Sequence, residues 1–174
     1  MAKNDKILID GIIDERRDLK IPSDKQDEVF EFFVFEQLLK DYDLSREELE
    51  FGNVDGQNDG GIDGFYIFIN GHLLIDPEKF NWPKSGSSLE VWIITCKHHD
   101  TFKQAPLDSL IASISELFDF TLDDDGLKGD YSEELLLQRN FLKQAYRKVS
   151  PRLREFKVNY YYASRGTTTE LGSR

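Results

Sequence analysis

Asp55-Gly56-Gln57-Asn58-Asp59-Gly60-Gly61-Ile62-Asp63-Gly64 runs straight into Phe65-Tyr66-Ile67-Phe68-Ile69. Further on, Leu89-Glu90-Val91-Trp92-Ile93-Ile94-Thr95-Cys96-Lys97 is a second apolar run, and it closes on a lysine. Both runs are rich in aromatic and β-branched residues, which reads as strand. An acidic residue at the head of one strand and a lysine closing its neighbour can together hold a divalent metal and an activated water. That is the minimal equipment for metal-assisted phosphodiester cleavage. Alternation along the second strand puts Thr95 and Lys97 on one face, with Val91 and Ile93 beneath them.

Outward from these strands the chain divides readily. Asn70-Gly71 is a hairpin turn, with His72 to Ile75 returning. Residues 76–88, with their Pro, Ser, Gly and Lys, form a loop. Upstream, Ser23 or Asp24 suits a helix cap, and Val29 to Leu39 reads as a well-buried helix. Ser45 to Glu48 caps a short turn, Leu49 to Val54 suits a short strand, and residues 1–20 suit a short helix or strand packed on the domain. Downstream, Leu107 to Phe120 is apolar at 107, 110, 111, 114, 117 and 118, a helical spacing. Residues 123–130 form an acidic loop, and Ser132 to Val149 a further helix. After a break at Pro151, Phe156 to Ala163 is a final strand. The order is helix, two or three strands, helix, helix, strand, a mixed α/β or α+β domain. Residues 1–23 read as an N-terminal extension and 24–174 as the domain proper.

The totals set limits. A chain of 174 residues, 39% hydrophobic, is one domain by size and can bury a core without staples. Cys96 is the only cysteine, so neither an intramolecular disulfide nor a zinc cluster is available. Met1 to Lys6 lacks the apolar core of a signal peptide, and no apolar run approaches a membrane span. The expected compartment is the cytoplasm, with no membrane partner. The net charge of −11 argues against tight nucleic-acid binding, but it is unevenly spread. Residues 1–96 carry 10 Lys and Arg against 21 Asp and Glu, a net of −11, whereas residues 97–174 carry 12 against 12. Within the second part, Arg139, Lys143, Arg147, Lys148, Arg152, Arg154 and Lys157 face only Glu155. Screening confines a surface field to about 10 Å at ordinary salt, so this local balance matters more than the total. Arg139, Lys143 and Arg147 fall four apart on one helix face and are the candidate contacts to a phosphate backbone.

Three readings of the Asp/Gly loop compete. It is a glycine-rich turn; or a calcium loop, for which Asp55, Gln57, Asp59 and Asp63 fit early positions while Tyr66 stands where a bidentate Glu belongs; or part of a metal-dependent nuclease site. The wider order favours the last. Lys97 can orient a water or stabilise charge on the phosphate, and a helix carboxylate, Glu31 or else Glu28 or Glu36, can complete the metal shell. Of the adjacent His98 and His99, only His99 has the parity of Lys97. Tyr160-Tyr161-Tyr162 reads more simply as a strand with alternate residues buried than as a base-stacking platform.

Taken together, the helix with Phe30-Glu31, then Gly60-Gly61-Ile62-Asp63-Gly64, then a hydrophobic strand ending in Lys97 resembles the PD-(D/E)xK nuclease superfamily in its Mrr-like branch. More closely, Asp27 to Phe33, Asp59 to Phe68 and Ile93 to Lys97 look like the N-terminal domain of abortive-infection phage-resistance (AIPR) proteins. The resemblance covers residues 24–120, and Phe156 to Gly166 fits a later core strand. It implies a restriction-endonuclease-like αβββαβ core with a mixed central sheet flanked by helices, a magnesium (or manganese) ion, and DNA as substrate. By position it makes Asp63 the metal-binding aspartate, Lys97 the catalytic lysine, and Glu31 the helix carboxylate. Thr95 falls in the remaining metal-ligand position, where the superfamily usually carries Asp, Glu or Gln. The expected function is a metal-dependent DNA endonuclease-like domain of a phage-defence protein. Its rival is a catalytically degenerate module of the same fold that binds nucleic acid or protein. Because AIPR-type proteins are much longer, the protein partners expected are the C-terminal region of a longer chain or a second copy of this one.

Overall fold

In the computed structural model, which describes residues 3–54, 61–97 and 104–165, a four-stranded mixed sheet lies between two layers of helices. β1 (Gly64–Ile69) pairs antiparallel with β2 (His72–Leu73) on one side and with β3 (Ser87–Lys97) on the other. β4 (Leu153–Ser164) runs parallel to β3, so the order across the sheet is β2-β1-β3-β4. A parallel neighbour needs a long crossover, and α4 (Gln104–Leu117) and α5 (Glu133–Val149) supply it. All six residues of β1 are buried, because both faces of the strand are covered. Asn70 and Gly71 both take positive φ, 51° and 80°, as a two-residue hairpin turn requires.

Alternation sorts the core into two halves. Phe65, Ile67, Leu89, Val91 and Ile93 face α4 and α5, packing on Leu110, Leu117, Leu135 and Leu142. Tyr66, Phe68, Ile94 and Cys96 face the opposite layer, α2 (Gln26–Leu38), meeting Val29, Phe30, Phe32 and Phe35. Helix α2 is apolar on more than one side because α1 (Lys3–Asp18) covers it from outside. Ile13 of α1 is fully buried there, Arg16 binds Glu36 at 2.7 Å, and the Arg16 guanidinium lies 5.2 Å from the centre of the Phe33 ring.

Some sequence expectations differ from this. Residues 49–54 do not form a strand. Ser45 and Glu48 close a reciprocal capping box, which starts helix α3 (Arg46–Phe51), and only Asn53 bridges to the sheet, at Gly64. The cap of α2 is Lys25 without a side-chain cap bond, while Ser23 Oγ accepts from the Lys25 N–H. The N-terminal segment, expected as a short helix or strand packed on the domain, is a 16-residue helix packed into the α2 layer.

Gly52, which ends α3, fixes how closely that helix approaches the sheet. A Cβ there would stand 2.0 Å from the ring of Tyr66, which is fully buried and donates its hydroxyl to the Leu49 carbonyl at 2.5 Å. Neither ring nor backbone can yield cheaply, so Gly52→Ala is expected to cost about 1–3 kcal/mol, read as a lower urea midpoint at unchanged m-value.

Candidate active site at the end of the sheet

The head of β1 and the tail of β3 meet at one end of the sheet. Asp63 precedes β1 by one residue; its backbone N–H donates to Ile94 and its carbonyl accepts from Val54, both at 2.9 Å. Where the ladder runs out, its own carboxylate takes over, and Oδ2 accepts the backbone N–H of Cys96. Asp63 is thus both the last pairing element of this strand pair and a nearly buried carboxylate, 5% exposed.

Thr95 is fully buried, and its hydroxyl donates to the Gly61 carbonyl at 2.6 Å, tying β3 to the end of the Asp/Gly loop. Lys97, the last residue of β3, is half-buried and follows Thr95 on the α4/α5 face. The β3–β4 register then sets Tyr162 beside Thr95 and Ser164 beside Lys97. The Tyr162 phenol is pushed above its ordinary pKa, first by burial and second by the negative charge of Asp63. Asp63, Thr95, Lys97 and Tyr162 therefore share one corner of the molecule. From the sequence, Tyr162 had a place in a strand but no part in the site. Its signal was register: a parallel strand pairing at the tail of β3 had to bring one residue alongside Thr95.

The helix carboxylates belong to α2. Glu31 is buried, 4% exposed, on α2, which covers the face of Tyr66 and Cys96. The two alternatives to it are engaged at the surface, Glu28 with Lys25 at 2.8 Å and Glu36 with Arg16. Asp55, Asp59, His98 and His99 lie outside the described residues.

The basic row on α5 is largely not a surface row. Arg139 is fully buried. Its Nε donates to the Leu117 carbonyl, Nη1 to Asp124 at 2.9 Å, and Nη2 to the carbonyls of Asp119 and Leu122. Lys143 is 9% exposed and donates to the Leu122 carbonyl. Both side chains hold the turn after α4 and are not presented to a phosphate backbone; Arg147 alone of the three is exposed.

Magnesium is usually held by one or two carboxylates, with water and substrate phosphate oxygens filling an octahedron. Asp63 supplies a carboxylate for the first of these demands, with Oδ2 accepting from the Cys96 N–H. Among the described residues no group of three or more His, Cys, Asp or Glu could hold a metal. No described helix is long and apolar enough to cross a membrane. No family model, curated protein or solved structure matches this chain.

Proposed function

We propose that this chain is a metal-dependent DNA endonuclease-like domain built on a restriction-endonuclease-like core, as its resemblance to AIPR phage-defence proteins implies. The observation that carries the reading is the convergence of Asp63 and Lys97 at the shared end of β1 and β3, with Asp63 locked by the Cys96 N–H. A bound magnesium or manganese ion supplies polarisation of the phosphate and an activated water. Asp63 is the carboxylate that would hold it, and Glu31, on the flanking helix, supports that shell. Thr95 holds the loop end against β3 and lends an oxygen at most. Lys97 offers an ammonium to the charge that builds on the phosphate oxygens as the bond breaks. Burial of Asp63 and Thr95 keeps water from screening these charges.

A second reading, the degenerate nuclease-fold module, is favoured by Thr95. That uncharged side chain spends its proton on Gly61 in the position where the superfamily usually carries Asp, Glu or Gln. Incubation of the chain with DNA in magnesium or manganese, against EDTA, separates the two. Nicking that needs the metal supports the nuclease. DNA binding that persists in EDTA, without nicking in either metal, supports the module.

A further inference from the structure

Strand β4 ends the sheet, and its even-numbered residues do not bury as a simple alternation would demand. Tyr160 is 48% exposed and Phe156 38% exposed, both on the α4/α5 face. Around Phe156 the rings of Tyr146 at 5.8 Å and Phe118 at 6.4 Å extend the aromatic surface, with Phe120 beyond Tyr146 at 5.5 Å. Tyr160 walls an apolar groove of about 420 Å³ whose other side is Ile111 and Ile114 of α4. The same face continues to Tyr162, beside the Asp63 corner. From Phe156 to Tyr162 is about 20 Å at ~3.3 Å per residue.

The start of this track is basic. Arg147 and Lys148 in the last turn of α5 and Arg154 on β4 are all exposed, while Lys157, of the other parity, lies on the opposite face in register with Glu90. Of the neighbouring acids, Asp124 is bound by Arg139 and Asn140 of α5 and Asp119 accepts from Thr121, while Asp123 and Asp125 are exposed. A cationic strip with half-exposed rings, on a chain of net charge −11, calls for an anion that also stacks.

We infer that the β4 edge is a binding track for single-stranded nucleic acid, with phosphates on Arg147, Lys148 and Arg154 and bases against Phe156 and Tyr160. Stacking on rings beside a basic groove is how single strands are held without sequence preference. The track's direction toward Asp63 and Lys97 rests on the nuclease reading; binding itself does not.

Fluorescence anisotropy with a labelled oligothymidylate, in EDTA so that no cleavage is required, tests it. The expected result is binding that weakens with salt. Tyr160→Ala should weaken it roughly tenfold, while Tyr160→Phe, which keeps the ring, binds as wild type. Arg147→Glu with Arg154→Glu should lower the salt slope by about 1.4, two phosphate contacts' worth. No binding at low salt, or affinity indifferent to Tyr160→Ala and to the charge reversals, overturns the inference. So does a dimer in sedimentation that Arg154→Glu disperses while the oligonucleotide stays unbound. Absence of cleavage in magnesium would leave these outcomes untouched and would count only against the nuclease reading.

Discussion

Arg139→Ala is expected to destabilise the chain by about 3–5 kcal/mol, the usual result of removing one partner of a buried ionic network. Its guanidinium is fully buried and donates to three carbonyls and to Asp124. One of those carbonyls belongs to Leu117, the last residue of α4, where a helix leaves its acceptors unsatisfied and favours a cation. Truncation strands these acceptors, opens a cavity beneath α5, and releases Asp124 from one of its two donors, leaving Asn140. For a chain of this size ~2–4 °C is lost per kcal/mol, so the melting temperature should fall by roughly 10 °C. Arg139→Lys should recover only part of it, because an ammonium cannot reproduce the planar fork. A melting temperature unchanged in Arg139→Ala would mean that the turn after α4 is held by something else.

The second large effect separates the structural from the chemical use of Asp63. Asp63→Asn keeps an oxygen to accept the Cys96 N–H and removes the charge. Asp63→Ala removes both and leaves a buried donor unsatisfied, at a cost of about 1–3 kcal/mol. Stability should therefore order as wild type, then Asn, then Ala, by urea denaturation. Cleavage should behave differently, falling by at least about a hundredfold in both variants, since both lose the charged anchor for the metal. Wild-type cleavage by Asp63→Asn would leave the carboxylate a ladder cap and nothing more.

What the sequence revealed and what it hid follow from particular residues. The strands from Gly64 and to Lys97 were legible because each is largely buried on both faces, and a short, continuous, β-branched and aromatic run between turn residues is what such a strand needs. The parity that sets Thr95 and Lys97 on one face follows from the two-residue repeat, and Val91 and Ile93 of the same parity enter the α4/α5 core. Arg139 and Lys143 were misread because spacing shows that residues share a stripe, not whether the stripe meets water. The warning was present. Arg139 lies four residues after Leu135 and three before Leu142, inside the apolar stripe that continues to Ala145 and Val149. The helix at 46–51 was hidden in the opposite way, since a capping box is a local signal and the apolar residues after it suggested a strand. Tyr162 could not be found by motif at all, because its place depends on pairing between strands far apart in the chain.

Plasmid cleavage in magnesium or manganese, comparing the chain with its Lys97→Ala variant, is the sharpest test of the proposed activity. Lys97 is half-buried at the strand end, so the change leaves the fold intact and removes only the ammonium. Metal-dependent nicking by the wild type, lost in the variant, is the expected result. Equal nicking by both chains, or none by either at matched folding, would contradict a nuclease site built on Asp63 and Lys97.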